Sequence, residues 1–319
     1  MDITRRVLAL AAAPFVARAE TYPSRPVRII VPFPPGQAAD VFARVVADQL
    51  SQRWPQRVVV ENRAGGAGVI GMEAVARAAP DGYTLGIGTS GTLGVNPGVM
   101  DRLPYHPIHD FAPITNIFIV PLVVIAHPDF APRDMAALVA HIRANPGQTF
   151  ASAGPATAQH MTAEMFAHQA RLRMTHVPYR GSGPAIADLI AGNVQLMFDS
   201  TASAMPHIQS GRVRALGITT AYRMAALPDV PTVAETVLPG FAAAGWSGIV
   251  APAGTPPAII GQINRDVTGL LREPAVAARI TGLAGIPDPT TPEEFAAFIQ
   301  AEILKWAAVA RAAGVRLDG

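Results

Sequence analysis

The chain has 319 residues, a length that suggests two domains, and half of its residues are apolar while only 15% are charged. This composition excludes wholesale disorder, and the absence of cysteine excludes disulfides, thiolate metal sites and a cysteine nucleophile. Basic and acidic residues number 25 and 23, and Lys305 is the single lysine, so we expect no clustered basic surface of the kind that binds nucleic acid.

Residues 1–19 have the pattern of a signal peptide. The twin arginine Arg5-Arg6 precedes an apolar stretch, residues 7–17, that is too short to span a bilayer, and residues 17–19 form a small-x-small cleavage pattern. We prefer this interpretation to a buried first helix and predict export by the Sec or Tat pathway, with cleavage after Ala19. No later segment is long and apolar enough to cross a membrane, so the mature chain is expected to be soluble in the periplasm.

Strand-like runs alternate with helical periodicity in the first part of the mature chain, which is the βαβ pattern of a parallel sheet. A long β-like run then interrupts this alternation. In chain order the predicted elements are strand Val27–Val31, helix Ala39–Gln52, strand Val58–Val60, helix Val69–Ala78, strand Thr84–Ile87 and the β-like run Ile114–Ala126.

A second βα series follows, after which the chain returns to the first one. Its predicted elements are helix Met135–Ala144, strand Phe150–Ser152, helix Ala158–Gln169, strand His176–Pro178, helix Pro184–Ile190, strands Leu196–Asp199, Val213–Thr219 and Ser247–Ala251, and helices Ala258–Leu271, Ala275–Thr281 and Pro292–Ala313. Two such series predict two domains with a cleft between them. We assign residues 20–122 and 223–319 to a discontinuous domain I and residues 123–222 to domain II.

Two motifs suggest cofactor chemistry, but their context does not support it. Residues 66–71 form a literal G-x-G-x-x-G, yet five residues separate it from the preceding strand and no acidic residue ends the next strand. We therefore predict a tight loop and close helix packing there, and no dinucleotide.

His160, Glu164 and His168 share one helical stripe whose ends lie about 12 Å apart, too far to share one metal ion. No metal and no cofactor is expected.

A hydrolase is the second interpretation of this chain. Residues 88–92 lack the final glycine of the G-x-S-x-G nucleophile motif. Ser152, His160 and Asp199 can be written as a triad, although nothing in their spacing requires one. We therefore predict no catalytic residue and keep as the alternative an exported serine hydrolase that uses Ser152 or Ser90 with His160.

Small loops rich in hydrogen-bond donors follow three predicted strands, at residues 34–38, 88–92 and 152–154. In open α/β sheets, ligands bind at this edge. Backbone N–H groups and hydroxyls suit a carboxylate, and no lysine or paired arginine lies beside the loops, so neutral donors and helix dipoles would bind the anion. His160, near a helix start, is either close to the ligand or a capping or surface residue. The three loops together predict a receptor for a small ligand.

A series of short motifs runs in order from Tyr22 to about Val315. They are residues 22–33 (YPSRPVRIIVPF), 35–36 (PG), Asp40, 61–63 (ENR), Gly65, Gly68, Gly71, 81–85 (DGYTL), 176–181 (HVPYRG), 197–199 (MFD), 228–232 (PDVPT) and 251–256 (APAGTP). In these motifs the chain resembles the tripartite tricarboxylate transporter substrate-binding family, also called the Bug family.

This resemblance implies a periplasmic receptor with the Venus-flytrap fold, in which two hinged α/β domains, each a mostly parallel sheet flanked by helices, close on a carboxylate. It also implies, for some members, a membrane permease of the tripartite tricarboxylate type as partner. Domain I would hold one carboxylate, and domain II would set the choice of ligand. The implied ligand-binding residues are Phe33, Gly36, Gln37, Asp40, Ser90, Gly91 and Thr92 in domain I, and Ser152, Ala153, Gly154, Thr157, His160, Tyr179 and Asp199 in domain II.

Two positions depart from the family's pattern. Gln37 and Ala156 each stand where the family usually has glycine, and either residue would narrow the site or change the ligand. Asp199 would repel a second ligand carboxylate unless it is protonated or pairs with an ammonium group, which favours a monocarboxylate or an amino-acid-like ligand. We therefore expect a non-catalytic, monomeric receptor for a small organic carboxylate. A ligand-sensing module that acts on a signalling partner is a further alternative.

Overall fold

The computed structural model describes residues 22–317, so the predicted signal peptide and its cleavage site lie outside the described residues. These residues form ten strands and eleven α-helices. The strands are β1 (Val27–Val31), β2 (Val58–Asn62), β3 (Thr84–Thr89), β4 (Phe111–Ala126), β5 (Gln148–Ser152), β6 (Met174–Pro178), β7 (Leu196–Ser200), β8 (Arg214–Ile218), β9 (Ala244–Pro252) and β10 (Ile286–Pro287).

The helices cover both faces of the sheet. They are α1 (Ala38–Arg53), α2 (Val69–Ala76), α3 (Asn96–Val99), α4 (Met135–Ala144), α5 (Ala158–Ala170), α6 (Ser182–Ile190), α7 (Thr201–Gln209), α8 (Val233–Thr236), α9 (Pro257–Leu271), α10 (Pro274–Gly282) and α11 (Pro292–Ala313). A 3₁₀ turn at Gly66–Gly68 and a π-helical turn at Ser90–Val95 precede α2 and α3. Among the described residues, no helix is both long enough and apolar enough to cross a bilayer.

One sheet runs through the molecule in the order β2-β1-β3-β9-β4-β7-β5-β6, with β8 and β10 also paired to β4. The β1–β3 group and the β5–β7 group are each parallel, as the βαβ pattern predicted. The sheet is nevertheless more mixed than the sequence indicated, because β9 is antiparallel to β3 and β4 is antiparallel to β7, β8, β9 and β10.

Strand β4 joins the two parts of this sheet. Its residues 111–121 pair with β9, whereas residues 122–126 pair with β7 and β8. We call β1–β3, β9, β10 and residues 111–121 the first lobe, and β5–β8 with residues 122–126 the second lobe. The long β-like run predicted at Ile114–Ala126 is therefore the strand that the two lobes share.

Local sequence explains most of the helix ends. Helix α11 begins with a capping box in which Thr291 and Glu294 bond each other's backbone N–H groups, and it ends at Gly314 in the left-handed conformation.

Helix α7 was not predicted. Its first turn is rich in hydroxyl residues and Pro206 interrupts its interior, so its apolar periodicity is weak.

Helix α11 contributes to the core of both lobes. Phe295 and Ile299 pack in a cluster with Trp246 of β9, whereas Trp306 and Val309 pack with Phe166 of α5. The helix thus forms a third connection between the lobes, beside β4 and the segment from β8 to β9.

Candidate functional site

The loops that follow β1, β3 and β5 lie together at one edge of the sheet. A Cβ atom placed on Gly68 would lie 2.5 Å from Thr92 Cγ2 and 3.5 Å from Phe33 Cζ, so residues of the first two loops lie side by side against Gly68. A Cβ atom on Gly91 would lie 3.9 Å from the Ala156 carbonyl oxygen, which places the second lobe's loop beside them. The structure therefore brings the three predicted loops into one site.

Asp40 fixes the loop after β1. Its buried carboxylate accepts hydrogen bonds from Gly36 N (2.9 Å), Asn62 Nδ2 (2.8 Å) and Arg44 Nε (3.0 Å). Burial acts to raise the pKa of this carboxyl, but the hydrogen bonds from Arg44, Gly36 and Asn62 outweigh it and hold the pKa below its ordinary value. The structure thus places Asp40 as an internal support of the loop, while Gln37, the residue before α1, is exposed and does not cap the helix.

The turn after β3 is held by its own threonines. Thr92 Oγ1 accepts from Thr89 N (3.0 Å) and Thr89 Oγ1 accepts from Thr92 N (3.2 Å), a reciprocal cap that uses both side chains. Ser90 is 5% exposed, and its hydroxyl has no hydrogen-bond partner within residues 22–317. Of the predicted residues in this turn, Ser90 is the one whose side chain is available to a ligand.

The loop after β5 is tied back onto the second lobe. Ser152 Oγ, fully buried, accepts from Gly154 N (3.2 Å), and Thr157 Oγ1 donates to the Gly154 carbonyl (2.8 Å). Thr157 also caps α5 by accepting from His160 N. Ala156 adopts a left-handed φ of +53°, a conformation that glycine adopts at lower cost than alanine.

His160 is a loop support as well. Its Nδ1 accepts from Ala156 N (3.1 Å), and its Nε2 lies 3.4 Å from Glu164 Oε1. Its ring stacks on His176 of β6 with the ring centres 3.7 Å apart, and His176 Nε2 lies 2.6 Å from Ser152 Oγ. We did not predict a role for His176, although a histidine that begins a predicted strand was a signal for one.

Tyr179 and Asp199 have their polar atoms engaged within the second lobe. The Tyr179 hydroxyl donates to Asp188 Oδ2 (2.7 Å), and burial together with Asp188 raises its pKa to about 12. Asp199 has no exposed surface and accepts hydroxyls from Ser182 (2.5 Å) and Ser203 (2.6 Å). Burial raises the pKa of Asp199 to about 6 against the opposing effect of these hydroxyls. Neither serine was singled out from the sequence, because neither belongs to a strand-end loop with a recognisable pattern.

The triad Ser152–His160–Asp199 does not assemble. Ser152 bonds His176 instead of His160, and the Asp199 carboxylate is bonded to the two serines.

The glycines of residues 66–71 have the structural role that was predicted, since a Cβ atom on Gly71 would lie 2.7 Å from Pro32 Cα.

Helix starts supply the donors that face this edge. Helix α1, the turn at Ser90–Val95 and α5 all begin at the three loops, and first-turn N–H groups have no i−4 carbonyl to bond. The Thr89 side chain accepts the third N–H group of its helical turn, and the Thr157 side chain accepts the third N–H group of α5. The first and second N–H groups of each turn therefore remain for a ligand. Such N–H groups, with the positive end of the helix dipole, favour an anion.

A family model described as the tripartite tricarboxylate transporter family receptor matches residues 42–315. This chain belongs to that family. Among its relatives, BugT of Bordetella pertussis is 40% identical over 301 residues, which cover 94% of this chain and 92% of BugT. Members of the family are substrate-binding receptors of the periplasm.

Solved structures extend the likeness to the whole fold. A periplasmic transporter protein superposes with a TM-score of 0.84 at 39% identity, over 93% of this chain and 100% of that one. An R. palustris protein solved with adipate gives 0.85 at 33% identity, over 92% and 99%. MatC from Rhodopseudomonas palustris, with bound malate, gives 0.81 at 32% identity, over 90% and 99%. The predicted family and the predicted periplasmic-binding-protein fold are confirmed.

Proposed function

We propose that this chain captures a small organic carboxylate between its two lobes and closes around it by a hinge motion. The observation that carries the proposal is the meeting of three helix starts, at Ala38, Ser90 and Ala158, where two lobes approach each other. Neutral N–H donors and the Ser90 hydroxyl would hold the carboxylate. The relatives solved with adipate and with malate support this class of ligand.

The hinge is proposed at the two places where the chain passes between the lobes. The pairing partners of β4 change between Pro121 and Leu122, and on the return Thr219 bonds both Leu122 and Ala243. The first position supports the boundary at residue 122 in the proposed division into residues 20–122 with 223–319 and residues 123–222. The boundary at residue 223 stays a prediction, since Met224 and Val233 pack with residues of the second lobe. Contacts made by both lobes to one ligand would bias the equilibrium toward the closed form.

Export and delivery complete the proposal. The chain would be exported as a precursor, cleaved after Ala19, and would act as a monomer that passes its ligand to a membrane permease of the tripartite tricarboxylate type. The family description, a transporter receptor, supports a permease over a signalling partner. Restored carboxylate uptake when the receptor gene is returned to a deletion strain would test this role.

We propose that the chain is not an enzyme. A nucleophilic serine must reach its substrate, whereas Ser152 has no exposed surface and supports its own loop. Hydrolysis of activated esters by the purified chain, abolished by Ser152→Ala or Ser90→Ala, would contradict this.

The first test is thermal unfolding of residues 20–319 with mono-, di- and tricarboxylates, aromatic acids and acidic amino acids, after co-purified ligand has been removed by unfolding and refolding. A ligand at 100 times its Kd adds about 2.7 kcal/mol of stability, a shift of a few degrees. We expect a clear shift for one class of acid, and a loss of affinity in Ser90→Ala. An unchanged melting temperature across the panel would overturn the carboxylate assignment.

A further inference from the structure

Two stacked imidazoles lie beneath the loop that follows β5. The His176 ring centre lies 3.7 Å from that of His160 of α5 and 5.1 Å from that of Phe150 of β5. His176 points its Nε2 at Ser152 Oγ, 2.6 Å away. One side chain of β6 therefore contacts two of the residues that hold the loop.

Those two residues determine which loop N–H groups face inward. Ser152 Oγ takes the Gly154 N–H and His160 Nδ1 takes the Ala156 N–H, so both groups are removed from the ligand's side. The first-turn N–H groups of Ala158 and Gln159 are left to face the cleft. The positions of Ser152 and His160 thus decide how this lobe presents its donors.

The loop backbone needs such support. Gly154 has φ +135° and Ala156 has φ +53°, and a non-glycine residue in the left-handed region is strained because its Cβ atom crowds the backbone. A conformation of this kind persists when the surrounding contacts determine it. Here those contacts include the hydrogen bonds of Ser152, His160 and Thr157, and the first two of these residues contact His176.

We propose that His176 is a positioning residue for carboxylate binding, which holds Ser152 and His160 so that the start of α5 presents its N–H groups to the ligand. The inference rests on the proposed function and adds to it a residue that does not itself touch the ligand.

The charge state of the ring agrees with this role. Burial, with the neighbouring His160, lowers the pKa of His176 to about 3, so the ring is neutral near neutral pH and can keep its contact with Ser152. Glu164 Oε1 lies 3.4 Å from His160 Nε2 and is an acidic group beside the stack.

The test compares two variants at position 176 with one control variant at each of two other positions. His176→Phe keeps the stacked ring but removes the nitrogen, and His176→Gln puts an amide near the position of Nε2. His168→Phe changes an exposed histidine of α5, the helix that carries His160, and Val194→Ala weakens the second lobe's core away from the loop. Amide exchange of Gly154 and Ala156 is measured without ligand, and Kd is measured for malate and for adipate.

We expect exchange at Gly154 and Ala156 to quicken at least 10-fold in His176→Phe, and Kd for the bound acid to rise at least 10-fold. His176→Gln should return Kd to within about 3-fold of the unsubstituted chain, while both controls leave it unchanged. Unchanged exchange in His176→Phe, or a Kd loss equal to that of Val194→Ala, would overturn the inference. If the unsubstituted chain binds neither malate nor adipate, nor any other acid of the thermal-unfolding panel, the proposed function itself fails, whatever the exchange data show.

Discussion

The loop after β1 and the loop after β5 present the same kind of donor, yet they are supported by opposite chemistry. The first is held by an ionised carboxylate, Asp40, which bonds Gly36 and the half-exposed Arg44. The second is held by a hydroxyl and two stacked imidazoles, Ser152, His160 and His176. A charged support near the surface tolerates rearrangement through solvent, whereas a neutral, closely packed support depends on shape. The two loops should therefore respond differently to added volume and to acid.

Glycine substitutions should separate the loops most strongly. Gly154→Ala would place a methyl group 3.0 Å from the Tyr179 carbonyl oxygen at φ +135°, so we expect a loss of about 3 kcal/mol in unfolding free energy and weaker ligand binding. Gly36→Ala, at φ +86° with open space around it, should lose only about 1 kcal/mol. Urea unfolding measures both, and equal losses would show that packing does not distinguish the loops.

Removing the carboxylate of the first loop should have the next largest effect. Asp40→Ala leaves the Gly36 N–H, Asn62 and Arg44 without their acceptor, and we expect a loss of about 2 kcal/mol, limited by the exposure of Arg44. Asp48→Ala, on the exposed face of the same helix, is the matched control and should change stability by less than about 0.5 kcal/mol. A loss no greater than that of the control would show that Asp40 does not support the loop.

Acid should weaken the supports at different pH. Because the pKa of His176 is lowered from 6.5 to about 3, the unfolded chain binds a proton that the native chain does not, so its stabilising contribution is full above pH 6.5 and falls as pH drops toward 3. The slope is at most about 1.4 kcal/mol per pH unit, reduced by the partial exposure of the ring. The pKa of Asp40 is lowered from 3.8, so its contribution persists until pH falls below 3.8.

The measurement is urea unfolding between pH 7 and pH 3. The stability difference between the unsubstituted chain and His176→Gln should narrow from pH 6.5 downward, while the difference from Asp40→Asn should stay level until about pH 4. Parallel curves for the two variants would contradict this assignment of charge states.

The smallest effect should come from Ala156→Gly. Glycine relieves the left-handed strain at φ +53°, but it also frees the unfolded chain and removes a buried methyl group, so the net change should lie within about 0.5 kcal/mol. Thermal unfolding would reveal a larger change, and a loss above about 1.5 kcal/mol would mean that the methyl group packs as an essential part of the loop.

Much of the fold could be predicted because it depends on local patterns. Strands such as Val27–Val31 and helices such as α11 follow from periodicity, caps and turn residues, which act over a few neighbouring positions. Helix α7 was missed because Ser203 and Pro206 conceal its periodicity, and its first turn is stabilised by the polar, short-range bond from Ser203 to Asp199.

The candidate site was predictable at the level of loops and less so at the level of side chains. Residues 34–38, 88–92 and 152–154 come together because the carboxyl ends of parallel strands share an edge. The ligand-binding roles of the 14 implied residues stay predictions, and the structure shows that Asp40, Thr92 and Thr157 bond their own loops.

The sequence by itself determined the family, the α/β fold and the loops where a ligand would be bound, because motifs and periodicity depend only on residues that are close together in the chain. Tertiary structure alone decided that His176 lies against Ser152 and His160, and that Asp199 is enclosed by Ser182 and Ser203. Each of these contacts joins separate strands and helices. Which polar side chain remains free for a ligand depends on which ones the packed chain has already bonded, and sequence spacing does not contain that information.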